Sequence, residues 1–225
     1  MDKVLVATVT NTVCSYALDR WVEAYRRFTY PHRSALIVTD DIEFYRRVRF
    51  DDIRVAYVEP DSYVVKPSFA KDRVWSICNC REALKHIFID EYPDYEFLLT
   101  VDADVELLLP DSIERMLRIN NGEFDVIRFF TAMKPPVSTP GNVVLDDFGM
   151  DCILWRRKAI ASITFTCCER PDGGVICEGG LVWTMFDWWS RLGRPFKVVT
   201  RQKIPLRHYH FPRRNWIEPG YFEVK

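Results

Sequence analysis

The sequence predicts an α/β fold with a mixed, mostly parallel central sheet and helices on both faces. Three observations predict it. Short, continuous apolar runs rich in β-branched residues recur along the chain, as strands buried on both faces of a sheet require. Segments with apolar residues at helical spacing separate these runs. The alternation of the two holds from the N-terminus to residue 130 and points to a doubly wound sheet.

The first two strands are expected at "VLVATV" (4–9) and "ALIVT" (35–39). Between them Val13, Ala17, Trp21, Ala24 and Phe28 recur at helical spacing. "IRVAYV" (53–58) is the third strand. Val74, Ile77, Cys78, Leu84, Ile87 and Phe88 then mark a second amphipathic helix. "EFLLTV" (96–101) is the fourth strand. Asp111, with Glu114 three residues on, resembles a capping box, and Ile113, Met116 and Leu117 supply that helix's inner face. "DVIRFF" (125–130) is the fifth strand. The pattern breaks at "MKPPVSTPGN" (133–142), which reads as a loop, and the segment 133–147 is the expected mobile lid. "CCERPDGGV" (167–175) reads as a second loop. Leu181, Met185, Trp188, Trp189 and Leu192 then predict a helix with an aromatic inner face, followed by a late strand at "FKVV" (196–199).

Composition excludes several function classes. The chain has 225 residues, 48% of them apolar, which suits one sizeable core. A formal net charge of −1 leaves no general basic field for nucleic acid or an anionic membrane. No apolar run is long enough for a membrane span, and "MDKVLVATVT" lacks the pattern of a signal peptide. A soluble, cytoplasmic protein is expected. None of the seven cysteines (Cys14, Cys78, Cys80, Cys152, Cys167, Cys168, Cys177) forms a C-x-x-C pair, so structural zinc is not expected and most of them read as reduced and buried.

The chemistry concentrates at "FLLTVDADVELLLPDS" (97–112). Asp102 and Asp104 follow a buried strand directly. In open α/β sheets ligands bind beyond the carboxyl ends of the strands. Period-two spacing in an extended segment would point both carboxylates to one side, where they repel unless a cation intervenes. Mg²⁺ or Mn²⁺ is the natural cation, since hard metals prefer oxygen ligands and complete their shells with water and substrate phosphates. An EF-hand starts the same way, but its sixth position should be glycine and its twelfth glutamate. Here those positions hold Leu107 and Ile113, and that reading is rejected.

In this context the sequence resembles the GT-A fold glycosyltransferases, most like the inverting family 2. The resemblance spans about residues 3 to 212 and rests on short pieces in order. "VDADVELLLPDSIERML" (101–117) resembles that family's D-x-D strand, turn and helix, and "VTDD" (38–41) its second-strand acidic end. "ICNCREAL" (77–84) resembles its A-R-N-x-x-L type helix, and "CILWRRKAI" (152–160) the strand before its acceptor region. "CEGGLVWTMFDWWSRLGRPFKVV" (177–199) resembles its late acidic helix and following strand. The resemblance implies one GT-A domain over 1–225, with a nucleotide-binding half at 1–104 and an acceptor-side half at 105–225. Small soluble transferases of this kind include those of archaeal viruses, for which the compartment would be the host cytoplasm.

The resemblance also implies roles. Asp104 would ligate Mn²⁺ or Mg²⁺. Asp102 would meet the metal and the ribose or first phosphate of a nucleotide-diphosphate sugar. Asn79 and Arg81 would face the nucleotide. Asp40, rather than Asp41, would contact base or ribose, with Thr8 and Thr10 lining the base pocket. His208 and His210 alternate in "RHYHFPRR", and either would complete the metal shell. Arg213, with Arg214, would clamp the diphosphate; Lys71 and Arg73 give a weaker signal of the same kind. The family carries Glu-Asp where this chain has Glu178-Gly179, so Glu178 takes the place of the general base, with Asp151 and Asp147 as rivals. The acceptor would be a hydroxyl of a glycan, protein or lipid; a homodimer is left open. Two other readings stand beside this one. A nucleotidyltransferase of the same fold is disfavoured because "TVTNTVCSYALDR" has no glycine to cradle phosphates. A catalytically degenerate scaffold is kept open by the Glu178-Gly179 departure.

Overall fold

The computed structural model describes residues 2–12, 15–66, 72–130, 152–166, 168–169, 175–176 and 197–209. The central sheet is built from β1 (Val4–Val9), β2 (Arg33–Thr39), β3 (Arg54–Tyr57), β4 (Phe97–Val101), β6 (Val126–Phe130), β7 (Cys152–Arg156) and β10 (Val198–Lys203). Its order is β10-β6-β7-β4-β1-β2-β3. β1 pairs in parallel with both β2 and β4, β2 with β3, and β10 with β6. Only β7 runs against its neighbours β4 and β6. This is the mixed, mostly parallel sheet expected from the sequence.

The two faces explain why the strands read as unbroken apolar runs. Val4 and Val6 of β1 pack into one core with Ala35 and Ile37 of β2 and Leu99 of β4. Leu5 and Ala7, Leu36 and Val38, and Leu98 pack into the other. Helices cover both. On the first face lie α1 (Leu18–Arg27), through Trp21, Val22 and Tyr25, and α4 (Ser112–Asn120), through Ile113 and Met116. On the second lie α3 (Asp72–Glu91), through Ala83, Leu84 and Phe88, and the short α5 (Arg157–Ile160).

Other elements depart from the sequence pattern. α2 (Ile42–Arg47) follows β2 and is capped by Asp41, whose carboxylate accepts from the Phe44 N–H at 2.9 Å. Asp111 stands at the N-cap of α4, but the expected capping box does not form. Asp111 pairs with Arg115, and Glu114 accepts from the Thr29 hydroxyl. The stretch read as a loop at 167–175 contains part of a two-stranded hairpin, β8 (Cys168–Glu169) with β9 (Val175–Ile176). A further antiparallel pair joins β5 (Val105–Leu107) to β11 (Leu206–His208), with His208 opposite Val105. The lid at 133–147 and the helix at 181–192 lie outside the described residues.

Candidate active site

Strand ends and one helix define an open cleft. β1 contributes Val9 and the chain beyond it contributes Thr10 and Asn11, while Asp102, Ala103 and Asp104 follow β4. α3 contributes Ser76, Ile77, Cys80 and Arg81, and a 3-10 turn (Ser15–Ala17) contributes Tyr16. The cleft thus lies beyond the carboxyl ends of β1 and β4, where the sheet leaves room for a ligand.

The two aspartates reach it from a tight turn, not from an extended strand. The Val105 N–H donates to the Asp102 carbonyl at 2.9 Å and closes that turn. The carboxylates are held by different partners. Asp102 Oδ1 accepts from Arg81 Nη2 at 2.7 Å. The Arg81 side chain is 8% exposed and that of Asp102 29%, so this ion pair is poorly screened. Asp104 Oδ2 lies 3.4 Å from His208 Nε2 and 2.8 Å from the Tyr16 hydroxyl. Burial would raise the Asp104 carboxyl, but the hydrogen bond and charge of His208, with the Tyr16 hydroxyl, hold it below the usual carboxylate range.

His208 arrives by strand pairing. β11 lies against β5, and the Tyr209 N–H donates to the Asp104 carbonyl at 2.7 Å. Behind this pairing the Tyr209 hydroxyl donates to Glu106 Oε2 at 2.6 Å, and Arg27 Nη2 donates to Glu106 Oε1 at 2.9 Å. Arg20 stacks over the Tyr209 ring at 4.9 Å. This network ties α1 to the strand that carries His208.

Asp104, which lines the cleft, and His208, 3.4 Å from it, are the groups that could hold a divalent cation, with Asp102 in the same lining two positions before Asp104. Among the described residues no group of three or more His, Cys, Asp or Glu is placed to hold a metal ion, so a cation here would rest on fewer side chains of the described residues. An open, incomplete protein shell is what Mg²⁺ or Mn²⁺ takes when water and substrate phosphates supply the remaining ligands.

Other expected site residues are placed as follows. Thr10 lines the cleft; Thr8 does not, being 2% exposed within β1. Asn79 is fully buried and is not among the residues lining the cleft. Its Oδ1 accepts from the N–H groups of Tyr63 and Val64 at 3.0 and 3.1 Å, and its Nδ2 donates to the Glu59 carbonyl at 3.2 Å. It pins the 59–64 segment to α3. Asp40 accepts from the Ser76 hydroxyl at 2.8 Å and sits behind the cleft wall. Asp41 has a structural place: besides capping α2 it accepts from the Thr12 N–H at 2.9 Å and fixes the chain after β1. Glu178, Asp151, Asp147, His210, Arg213, Arg214 and Lys71 lie outside the described residues, as does the side chain of Arg73.

Sequence reasoning missed Tyr16, Asn11, Ser76 and Cys80. For the two on α3 a signal existed. Ser76, Ile77, Cys80 and Arg81 recur at i, i+1, i+4 and i+5, one stripe of a helix. Tyr16 carries no local signal, because it meets the site only through the tertiary fold.

No family model and no curated protein matches the sequence. Solved structures do match. TarS of S. aureus, in complex with UDP-GlcNAc, is 14% identical, covering 73% of this chain and 48% of that one, with a TM-score of 0.47. A197 from STIV is 14% identical over 93% of this chain and 86% of that one, with a TM-score of 0.48. The glycosyltransferase GlyE of Streptococcus pneumoniae TIGR4 is 11% identical over 88% of this chain and 45% of that one, with a TM-score of 0.47. The chain therefore spans less than half the length of these TarS and GlyE chains.

Proposed function

We propose that the chain is a metal-dependent glycosyltransferase that moves a sugar from a nucleotide-diphosphate donor to an acceptor hydroxyl, with inversion. The observation that supports this most is the meeting of Asp104 and His208, 3.4 Å apart, at the cleft beyond β4. Asp104 and His208 would hold the cation, with Asp102 beside them. A nitrogen donor next to the carboxylate favours Mn²⁺ over Mg²⁺, which prefers oxygen shells. When bound, the cation would neutralise charge developing on the diphosphate leaving group.

The chain's own groups supply the rest of the reading. Arg81 lines the cleft with its charge balanced by Asp102, so the cation would supply the positive charge that an anionic ligand needs there. Asp102 would accept from ribose hydroxyls. Thr10, Asn11, Ile77 and Cys80 would enclose the base, with Asp40 reached through Ser76. In this reading residues 1–104 form the nucleotide-binding half and 105–225 the acceptor side. Glu178 would take the proton of the attacking hydroxyl, with Asp151 the rival; Arg213 would clamp the diphosphate and His210 would stand second to His208. The acceptor is a glycan, protein or lipid hydroxyl. No described helix is long and apolar enough to cross a membrane.

The test is slow donor hydrolysis. The protein is incubated with a panel of UDP-, GDP- and dTDP-sugars, and nucleoside diphosphate release is followed. Release from one donor class, abolished by EDTA, restored by Mn²⁺ and absent in Asp104→Ala, is the expected result. A panel that shows neither turnover nor binding of any nucleotide would sink the proposal.

A further inference from the structure

We propose that Tyr16 is the positioning residue of the metal pair: its hydroxyl fixes the Asp104 carboxylate against His208. The inference rests on the reading of Asp104 and His208 as metal ligands.

The geometry singles out this phenol. Tyr16 Oη lies 2.8 Å from Asp104 Oδ2 and 2.7 Å from the Tyr209 carbonyl oxygen. One hydroxyl therefore touches the first ligand and the peptide that follows the second. The same peptide region is already locked to Asp104, because the Tyr209 N–H donates to the Asp104 carbonyl at 2.7 Å. Backbone pairing sets the two segments side by side, but it does not choose the rotamer of the Asp104 side chain. The phenol does. It has one proton, and of its two acceptors the ionised carboxylate is the stronger. Donation to Oδ2 keeps that oxygen turned toward His208 Nε2.

Tyr16 is well placed for this and poorly placed for a core role. It is 40% exposed, while the next two residues, Ala17 and Leu18, are buried and anchor the turn to the fold. The turn is further tied by the Ser15 hydroxyl, which donates to the Thr12 carbonyl at 2.9 Å. The turn thus carries a partly exposed ring whose hydroxyl reaches Asp104. Groups that hydrogen-bond a ligating carboxylate fix its orientation, and losing them weakens metal binding without removing a ligand.

The experiment titrates Mn²⁺ alone into wild type, Tyr16→Phe and Asp104→Ala, reading free and bound Mn²⁺ by EPR, with metal-free melting temperatures alongside. Expected are binding by wild type, affinity weaker by about 10-fold or more in Tyr16→Phe, an altered spectrum of its bound Mn²⁺, and none in Asp104→Ala. The metal-free melting temperature of Tyr16→Phe should fall modestly, because the hydroxyl's hydrogen bonding to Asp104 and the Tyr209 carbonyl is lost. Equal affinity in wild type and Tyr16→Phe overturns the role of Tyr16 and leaves the metal reading standing. A weaker affinity with an unchanged spectrum of the bound Mn²⁺ also overturns it, marking Tyr16 as merely structural. No binding by wild type, with or without added nucleoside diphosphate, overturns both.

Discussion

Replacing Asn79 by alanine separates a structural amide from a ligand-facing one. Its side chain is fully buried and makes three hydrogen bonds to the 59–64 segment. The Val64 N–H is buried with it, so its loss of a partner costs about 1–3 kcal/mol. The Tyr63 N–H is partly buried and recovers some water, adding roughly 0.5–1 kcal/mol. Glu59 is exposed, and its carbonyl rehydrates at little cost. The sum is about 1.5–4 kcal/mol, which for a chain of this size lowers the melting temperature by roughly 3–16 °C. Urea unfolding followed by tryptophan fluorescence measures it. Nucleotide affinity, taken well below the melting temperature, should change little. A stability change under about 0.5 kcal/mol, or a selective loss of nucleotide binding in a stable variant, would refute the reasoning.

Three further outcomes follow from the same contacts. Arg81→Ala should destabilise by about 1–3 kcal/mol, less than a fully buried pair because Asp102 is partly hydrated; a double-mutant cycle with Asp102→Ala should give a coupling of about 1 kcal/mol or more. Burial pushes the Glu106 carboxyl up, but hydrogen bonds from Tyr209 and Arg27 bring it below its ordinary value of 4.5. A depressed carboxylate stabilises above its unfolded pKa and loses that contribution as pH falls through the folded value. Melting temperature should therefore fall below about pH 4.5, and Glu106→Gln should flatten that fall. Cys78, Cys80 and Cys152 are buried, and burial raises the Cys80 thiol far above its usual range. Reaction of Cys78 and Cys152 with a thiol reagent, read by mass spectrometry, should track unfolding in urea; prompt labelling of either in the native protein would contradict the packing.

The sheet was legible because β1, β2 and β4 are apolar on both faces, and a strand that packs two ways leaves an unbroken signature. The aspartates after β4 were legible for a second reason: a ligand belongs at that end of a parallel strand. What escaped is equally physical. β5 and β11 are three residues each and α2 six, too short for any period to show. Yet the pairing of β5 with β11 brings His208 to Asp104. Asn79 shows the opposite failure. The resemblance of "ICNCREAL" to a family helix suggested a nucleotide contact, whereas in the fold the Asn79 side chain bonds the irregular 59–64 segment. Tyr16 reaches Asp104 across 88 positions, and nothing in "CSYALD" announces it.

The central claim is that the cleft binds a nucleoside diphosphate through a cation held by Asp104. The direct measurement is thermal stabilisation of wild type and Asp104→Ala by UDP, GDP and dTDP, each with and without Mn²⁺. At about 100 times the dissociation constant, binding adds about 2.7 kcal/mol, or roughly 5–11 °C in melting temperature. The account predicts such a shift in wild type for one base, with Mn²⁺ only, and none in Asp104→Ala. Stabilisation that ignores both the metal and the mutation, or no stabilisation by any nucleotide, would contradict it.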